Sequence, residues 1–594
     1  MLVYGDAERC ERADEKARSL TRDLTSASEL PPGLDRHAAL VAVFIGLGEL
    51  VQGMADAAFN ASGEDNGSPE EATGMAALVG LARAIHRSWT SEFAETGPLP
   101  HDALNHAAGA LAATPIRVKR PEGYAFYALY PESYLEAASR SGLGPRTRVI
   151  GLRSIGTGLA ALVAAGLGAP APVTLRPTGH PFGRELRIGE ALTRDLLRDS
   201  EADFAIVDEG PGLSGSSFGA VIDWLEAHGI ARGRIHAFPS HGGDLGPQAS
   251  AAHRERWASL PRHVVAADDW LLHGQGPAHR LETWLADALG PLDGPLHDIS
   301  GGGWRALQHA NEAAWPAANI QQERRKFLVR ARGETYLAKF VGLGADGRAA
   351  HERALLLHRA GFTPQPLALR HGFLVERWME GALSLDEAEP PRAILLDRLG
   401  AYLGFRARAL PVPDGEGASL RELAAMAVHN AGEALGGERA RQLEGQLAGI
   451  EAGEAAVRRV ATDNRLHPHE WIVAGGAILK TDALDHAFAH DLVGCQDIAW
   501  DIAGAIVEFG LAPVEAARLA AAVGREAGAP VHGGLVRRLV PCYLAFQLGA
   551  AAMGAAALAG SGEEERLRRA AGLYAARLDR WIADEAASAP DLPV

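Results

Sequence analysis

The chain has 594 residues, of which 47% are hydrophobic and 22% are charged, a length and composition that indicate two or three globular domains. Its formal net charge of -16 argues against a nucleic-acid backbone as the main partner, although local arginines can still bind phosphate groups. Three widely spaced cysteines predict neither a disulfide framework nor a cysteine-based zinc site. With no signal-peptide pattern and no apolar run long enough to span a membrane, we expect a cytoplasmic protein.

Residues 1–113 are expected to form a helical N-terminal extension. Apolar residues recur at helical spacing in residues 40–54 and 76–89. Between them, Ser68 followed by Pro69 is typical of a helix start. Nothing in this segment indicates chemistry, and it is interpreted as an appendage of the domain that follows.

Residues 114–290 alternate short strands, Gly-rich turns and helices, which predicts an α/β domain with a parallel, Rossmann-like sheet. Its central stretch, residues 204–218, has a buried strand, then Asp208 and Glu209, then a Gly- and Ser-rich turn leading into a helix. Ligands bind beyond the carboxyl ends of such strands, and a turn of this kind offers N–H groups and hydroxyls to a phosphate. Two carboxylates suit vicinal hydroxyls or a divalent ion. The alternative is an ordinary strand, turn and helix with a solvated acidic pair.

This stretch resembles the phosphoribosyl pyrophosphate (PRPP) motif of type I phosphoribosyltransferases. The resemblance implies that Asp208 and Glu209 hold the ribose hydroxyls as the catalytic acidic pair. It also implies Mg²⁺ as a cofactor and pyrophosphate as the leaving group. The residues implied to hold the 5′-phosphate are Gly210, Gly212, Ser214, Gly215, Ser216 and Ser217.

Two earlier loops resemble further parts of that family's site. The loop after residues 147–152 resembles the pyrophosphate loop, which assigns Arg153, Ser154 and Gly156 to pyrophosphate binding. Residues 173–187 are rich in Pro, Gly and Arg and resemble a mobile lid. The candidates in that lid are Arg176, His180 and Arg184. A plain Gly-rich turn and a solvated surface loop are the alternatives.

The acceptor of the phosphoribosyl group is not identified by the sequence. Tyr124, Tyr127 and Tyr130 could form a stacking wall for a planar base, although a packed strand and turn is the favoured interpretation. Residues 235–244 form another strand that ends in a polar Gly turn, which could contribute to the acceptor site.

Gly and Pro in residues 290–295 mark a domain boundary, after which residues 296–594 form a second unit. A hairpin carries Lys339 in its second strand, a helix carries Glu352, and a further strand runs into a linker. This order resembles the small lobe of an α+β bilobal kinase-like fold, closest to the aminoglycoside and choline kinase branch. The resemblance implies that Lys339 contacts the phosphates of ATP and that Glu352 orients Lys339.

Residues 462–473 resemble the catalytic loop of that branch, usually Asp followed by Leu-His-Pro-x-Asn. Aligned on Leu466, the loop has Arg465 in place of the catalytic acid and Glu470 in place of the metal-binding Asn. Aligned on Asp463, the acid is kept but an insertion is needed. Asp482 matches the family's metal-binding Asp, and residues 497–503 resemble the structural Asp region.

Two outcomes follow for this loop, a rewired kinase site that uses Asp463 and Glu470, or a pseudokinase that binds a nucleotide without transfer. A metal site built from His467, His469 and Glu470 is a weaker alternative, because no third-ligand motif accompanies it.

The leading hypothesis is a phosphoribosyltransferase that uses PRPP and Mg²⁺ and is coupled to an ATP-binding kinase-like domain. The alternatives are a non-catalytic sensor of PRPP or nucleotides, and a small-molecule kinase whose first half binds a phosphorylated sugar. A homodimer is possible, and neither nucleic acid nor a membrane is expected as a partner.

Overall fold

The computed structural model describes residues 1–5, 8–110, 114–212, 214–246, 248–309, 311–413 and 416–587. The predicted end of the N-terminal extension at residue 113 and the last residues, 588–594, lie outside this described part. Below, the first half denotes residues 1–290 and the second half residues 296–587.

The N-terminal segment is mostly helical, as the apolar spacing predicts, but it also contains a strand that pairs with a later one. Its elements are β1 (Glu8–Arg12), α1 (Ala13–Glu29), α2 (Leu34–Ser62), α3 (Pro69–Thr90), α4 (His101–Ala110) and β2 (Pro115–Lys119). β1 and β2 are antiparallel, with Glu8 opposite Lys119. The side chain of Ser68 accepts the N–H of Glu71 and Pro69 follows it, so α3 starts where the sequence predicts.

A parallel sheet forms the centre of the first half. The elements that follow β2 are α5 (Glu122–Phe126), α6 (Pro131–Arg140), β3 (Arg148–Leu152), α7 (Gly156–Leu167), β4 (Val173–Leu175), β5 (Thr178–His180), β6 (Gly183–Glu185), α8 (Glu190–Leu196), β7 (Phe204–Val207), α9 (Ser216–Ala227), β8 (Ile235–Phe238), α10 (Ala251–Ser259), α11 (Ala267–Leu271) and α12 (Leu281–Leu289). The strand order is β4-β3-β7-β8, and all three pairings are parallel. Every residue of β7 is buried, as expected for a central parallel strand covered on both faces.

The second half begins with a five-stranded antiparallel sheet. Its elements are β9 (His297–Asp298), α13 (Arg305–Gln308), β10 (Lys326–Ala331), β11 (Glu334–Phe340), α14 (Gly344–Arg359), β12 (Pro366–Arg370) and β13 (Phe373–Arg377). The strand order is β12-β13-β11-β10-β9. The hairpin predicted around Lys339 is β10–β11, in which Lys326 pairs with Lys339.

The remainder of the second half is mainly helical, with two small sheets between the helices. Its elements are β14 (Leu383–Ser384), α15 (Leu385–Ala388), α16 (Arg392–Ala409), α17 (Leu420–Leu435), α18 (Gly437–Leu447), β15 (Arg459–Val460), β16 (Trp471–Ala474), β17 (Ala477–Lys480), β18 (Gln496–Asp497), α19 (Ala499–Glu508), α20 (Pro513–Ala527), α21 (Gly533–Ala557) and α22 (Gly562–Ala587). β14, β16 and β17 form one sheet, and β15 pairs with β18.

The halves share a hydrophobic core. One buried cluster combines Leu47 of the N-terminal helices, Leu135 and Val207 of the parallel-sheet region, and Phe340 and Val375 of the antiparallel sheet. The predicted segments 1–113, 114–290 and 296–594 therefore pack directly against one another along this core.

Two of the described helices, α2 and α21, are long and apolar enough to cross a membrane. About two thirds of the apolar window of α2 (67%) and most of that of α21 (78%) is buried within the fold, which is also the pattern of core helices.

Candidate functional sites

The carboxyl ends of β3 and β7 lie side by side where the strand order of the parallel sheet reverses. The loop at residues 153–156 follows β3, and Asp208 and Glu209 follow β7. A Cβ on Gly156 would lie 2.7 Å from the carbonyl oxygen of Val207 and 3.3 Å from Oδ1 of Asp208, so glycine allows the two loops to touch. Ligands of open α/β sheets bind at such a switch point. The structure therefore brings the predicted acidic pair and the predicted pyrophosphate loop together.

The acidic pair is half-buried and lacks a cationic partner. Burial raises the pKa of Asp208 to about 7, against the opposing charge of Arg176. Burial, together with the charge of Asp208, raises the pKa of Glu209 to about 8, against a hydrogen bond that the backbone N–H of Gly123 donates to it. In the described part of the chain, no arginine or lysine forms an ion pair with either carboxylate. Hydroxyl donors or a divalent ion would therefore stabilise the ionised pair.

The predicted phosphate loop leads directly into α9. Gly210 and Gly212 lie in the turn, and Gly215 adopts a left-handed conformation, with φ of 63°, at the start of the helix. Ser217 is in the first turn of α9, where free N–H groups favour an anion. The Ser214 and Ser216 hydroxyls donate to the carbonyl oxygen of Pro181, at 3.2 and 2.7 Å.

The predicted lid is the β5–β6 hairpin, and its tip at Pro181 rests on the phosphate loop. His180 is exposed and its ring accepts the N–H of Phe182. Arg184 donates to the carbonyl of Gly179 within the hairpin. Both predicted lid residues thus form contacts inside the hairpin, and neither has a contact with the acidic pair.

Arg176, the third lid candidate, contacts the predicted pyrophosphate loop, unlike His180 and Arg184. Its Nη1 donates to the carbonyl oxygen of Arg153 at 3.1 Å, and its Nε bonds Oδ1 of Asp56 at 2.8 Å. Its positive charge is therefore held against the pyrophosphate loop by an acid from helix α2. Of the other two residues assigned to pyrophosphate, Gly156 lies beside Asp208, and Ser154 is in the loop that precedes it.

The prediction that Arg153 binds pyrophosphate requires a correction. The Arg153 side chain is buried and pairs with Asp65 and, at 3.1 Å, with Asp56, and it donates to Oγ1 of Thr174. The guanidinium faces the N-terminal helices instead of the pyrophosphate loop. Its acidic partners precede it by about 90 residues (88 for Asp65), so no local pattern could have indicated them.

Lys339 and Asp482 meet in the second half, as the kinase resemblance implies. Nζ of Lys339 lies 2.6 Å from Oδ1 of Asp482 and 3.9 Å from Oδ1 of Asp485. Burial lowers the pKa of Lys339, but the two carboxylates outweigh it and leave the pKa above its ordinary value. The neighbouring Glu376 is buried, which raises its pKa to about 7 despite the Lys339 charge.

The expectation that Glu352 orients Lys339 is wrong. Glu352 is exposed on α14, and the acids at Lys339 come from the segment after β17. The next residue, Arg353, faces inward instead, where it donates to the carbonyl of Leu484 at 2.7 Å and lies over the ring of Phe488. The helix is rotated by one residue relative to the prediction. The buried residues Ala350, Ala354 and Leu357, at i, i+4 and i+7, are the sequence signal for this rotation, because they place Glu352 on the opposite face.

Asp463 is buried inside a charged cluster. It accepts the hydroxyl of Tyr402, and its carboxylate lies 3.5 Å from Nζ of Lys480 and 3.7 Å from Nη1 of Arg406. Burial raises the pKa of Asp463, but Lys480 and the other cations outweigh burial and leave the pKa far below its ordinary value. With its side chain fully enclosed, Asp463 holds the loop together from within.

The backbone of this loop is anchored by Asp501. The N–H groups of Asp463 and Asn464 donate to its two carboxylate oxygens at 2.7 and 2.9 Å. Glu470 binds Nζ of Lys480 at 2.7 Å, and Arg465 is half-buried, close enough to Asp491 for their charges to interact. Position 465, where one alignment places the catalytic acid, thus carries a cation.

Three groups of side chains in the described residues could hold a metal ion: His37 with Glu132 and His371, Asp463 with Glu470 and His486, and Asp482 with Asp485 and His486. Mg²⁺ prefers oxygen ligands, which fits the two carboxylates of the last group better than its imidazole. None of the three groups includes His467 or His469, whose rings stack on each other with centroids 5.2 Å apart.

Residues 123–125 connect the two candidate sites, which the sequence did not predict. The carbonyl of Tyr124 accepts the N–H of Leu343, and the carbonyl of Ala125 accepts Arg324, which also pairs with Asp485. The segment therefore contacts the surroundings of Lys339 on one side, while Gly123 supports Glu209 on the other.

No family model and no curated protein matches the chain. Among solved structures, it is similar to a choline kinase from Streptococcus pneumoniae (17% identity, 44% of this chain and 90% of that chain, TM-score 0.31). It is also similar to a thermostable mutant of an aminoglycoside phosphotransferase (14% identity, 52% and 99%, TM-score 0.32) and to an ethanolamine kinase from Plasmodium vivax (11% identity, 60% and 93%, TM-score 0.32). These neighbours are phosphotransferases similar to part of the chain, and they do not bear on the phosphoribosyltransferase resemblance.

Proposed function

We propose that the first half binds PRPP with Mg²⁺ and transfers its phosphoribosyl group to an acceptor, and that the second half is a kinase-like, ATP-binding unit coupled to it. The observation that carries this proposal is the position of Asp208 and Glu209. They form an acidic pair that has no ion pair among the described residues and lies at the switch point of a parallel sheet, between the predicted pyrophosphate loop and the N-terminus of α9.

In the proposed reaction, a bond forms between the acceptor and the anomeric carbon while the bond from that carbon to pyrophosphate breaks. Pyrophosphate leaves with the electron pair. Asp208 and Glu209 would hold the ribose hydroxyls as positive charge develops on the sugar. Their oxygens also suit Mg²⁺, which neutralises charge on the leaving group when bound. Arg176 at the pyrophosphate loop supplies a nearby cation.

The direct test is calorimetric titration of the whole chain with PRPP and Mg²⁺ at pH 8.5. We expect saturable binding that is lost when EDTA replaces Mg²⁺. Binding would justify a search for acceptors by release of pyrophosphate, whereas no binding would contradict the proposal. Binding without release for any acceptor would favour the alternative of a PRPP sensor.

The affinity for PRPP and Mg²⁺ is expected to rise between pH 6 and pH 8.5. With pKa values raised by burial to about 7 and about 8, Asp208 and Glu209 are largely protonated at pH 6. Binding requires the ionised forms and therefore releases protons, which calorimetry detects as a binding heat that differs between HEPES and Tris at one pH. An affinity that stays constant above pH 7, where the phosphates of PRPP are already ionised, would contradict this assignment.

A second candidate function, small-molecule phosphotransfer by the second half, is favoured by the contact of Lys339 with Asp482. Replacing Lys339 with Met is expected to weaken ATP binding at least tenfold, about 1.4 kcal/mol, because the side chain would no longer contact the phosphates. Arg330→Met is the control, since Arg330 is an exposed cation on the neighbouring strand β10. Equal ATP affinity in both variants, measured by calorimetry, would place the nucleotide elsewhere or exclude it.

A further inference from the structure

Three side chains from separate segments converge inside the core, and none of them belongs to the sites around Asp208 and Lys339. They are His37 of α2, Glu132 of α6 and His371 of the turn between β12 and β13, which we call the His-Glu-His cluster. Nε2 of His37 and Nε2 of His371 lie 2.6 and 3.0 Å from the same oxygen, Oε1 of Glu132. Both halves of the chain therefore contribute ring nitrogens to one carboxylate.

The His-Glu-His cluster is enclosed. His37 and Glu132 have no exposed surface, and His371 is 5% exposed. Aromatic rings surround the imidazoles: the ring centroid of Phe93 lies 4.9 Å from that of His37, and the ring centroid of Trp284 lies 5.4 Å from that of His371. This enclosure leaves no approach for a substrate.

The surroundings direct both imidazoles at the carboxylate. Nδ1 of His37 lies 2.9 Å from Oγ of Ser88, which leaves Nε2 for Glu132. A hydrogen bond at the second ring nitrogen is the usual way in which a metal-binding histidine is oriented. His371 and Gly372 have φ of 40° and 95°, the two positive angles of a two-residue hairpin turn, where Asn followed by Gly is the common pair. Hairpin turns usually face solvent, whereas this one directs an imidazole into the core.

One polar atom of the cluster has no partner. Oε2 of Glu132 is buried and has no hydrogen-bond partner among the described residues. In the same part of the chain, Glu132 forms ion pairs with its two histidines and with no lysine or arginine. A buried oxygen without a partner costs free energy. Hydrogen bonding alone would favour one imidazole on each oxygen, but both lie at Oε1.

The donor atoms of the cluster suit zinc. Two imidazole nitrogens and the two oxygens of one carboxylate make four donors, the number in a structural zinc site. Zinc holds such donors at about 2.0–2.2 Å, which separates neighbouring ligands by roughly 3.3 Å. The separations of 2.6 and 3.0 Å therefore need to lengthen by less than about 1 Å. Mg²⁺ and Ca²⁺ prefer oxygen ligands and do not suit two imidazoles.

We propose that the His-Glu-His cluster binds one zinc ion through Nε2 of His37, Nε2 of His371 and both carboxylate oxygens of Glu132. The ion connects α2 and α6 of the first half to the β12–β13 turn of the second half. Its role is structural, because the aromatic enclosure excludes a substrate. This site is independent of the proposed binding of PRPP and ATP.

X-ray absorption at the zinc edge tests the proposal on the wild-type chain, which is loaded with zinc and freed of excess metal by gel filtration. We expect one zinc ion per chain with two imidazole ligands. Among the described residues, the other two candidate metal groups contain one histidine each, His486. Absence of zinc, or a zinc ion with fewer than two imidazole ligands, would overturn the proposal.

His371→Asn removes one ligand and places at the turn a residue that such turns favour. Competition with a chelating dye should show zinc binding at least a hundredfold weaker than in the wild type. His486→Asn is the control, because His486 belongs to both other candidate groups, and it should keep the wild-type affinity. EDTA should lower the unfolding temperature of the zinc-loaded wild type but not that of His371→Asn. Equal zinc affinity in His371→Asn and the wild type would contradict the assignment, and the wild-type absorption spectrum decides it even if a variant does not fold.

Discussion

The double variant Asp208→Asn/Glu209→Gln is expected to weaken binding of PRPP with Mg²⁺ at least a hundredfold, about 2.7 kcal/mol. The amides keep the shape of both side chains but remove the two negative charges at the switch point. The sugar hydroxyls then lose their charged acceptors, and the divalent ion loses oxygen ligands. Calorimetric titration at pH 8.5 measures the effect. Asp203→Asn is the matched control, because Asp203 precedes the same strand, β7, at its opposite end.

The stability of this variant distinguishes loss of a site from loss of the fold. Burial raises the pKa of both acids, so the folded state is favoured while they are protonated and loses that advantage as the pH rises to about 7–8. Neutral amides do not ionise. At pH 8.5 the variant should therefore unfold at the same temperature as the wild type or a higher one. Lost binding combined with a lower unfolding temperature would instead indicate a structural role for the pair.

Glu132→Ala is expected to lower the free energy of unfolding by about 3–5 kcal/mol, the usual result of breaking a buried ionic cluster. Glu132 is fully buried in α6. Its Oε1 lies within hydrogen-bond distance of Nε2 of His37, at 2.6 Å, and of Nε2 of His371, at 3.0 Å. These histidines come from α2 and from the turn between β12 and β13, so one carboxylate joins three distant segments. Removing it leaves the Nε2 atoms of two enclosed imidazoles without their carboxylate partner, beside a void, although His37 keeps its hydrogen bond with Ser88.

Urea unfolding followed by tryptophan fluorescence measures this loss, because Trp89 packs against His37. Arg140→Ala is the control, since Arg140 lies in the same helix and forms an exposed pair with Glu136, worth about 0.3–0.5 kcal/mol. Glu132→Gln, which keeps an acceptor but no charge, should fall between the two. A loss below 1 kcal/mol for Glu132→Ala would show that the cluster does not hold the halves together.

The strands, turns and hairpins that depend on local sequence patterns were predicted from the sequence. The strand before Asp208, the turn into α9 and the hairpin around Lys339 each depend on alternation, glycine and short spacing, and the structure contains all three. The alternation of strands and helices predicted a parallel sheet, and β3 and β7 pair in parallel. Contacts between distant segments were not predicted. Arg153 binds acids of α2 and of the segment after it, and Glu132 joins three segments, because such partners are selected by packing of the whole chain.

The prediction that Glu352 orients Lys339 was wrong for a different reason. The helix itself was predicted, but the side that faces inward depends on how α14 is rotated, and the prediction did not use the apolar stripe of Ala350, Ala354 and Leu357, which lies opposite Glu352. Arg353 faces inward, where Leu484 and Phe488 receive it. The position of Asp463 was likewise decided by a buried tyrosine and two buried cations that no local motif contains.

Val3 belongs to the core of the helical lobe in the second half and lies against Gly549. A ribosome that adds about 5–20 residues per second needs roughly 30–110 s to make the chain between these two contacts. The contact of Val3 with α21 therefore cannot form until that interval has passed. A chain released before α21 is made would lack this contact, which would leave the segment around Val3 open to proteases.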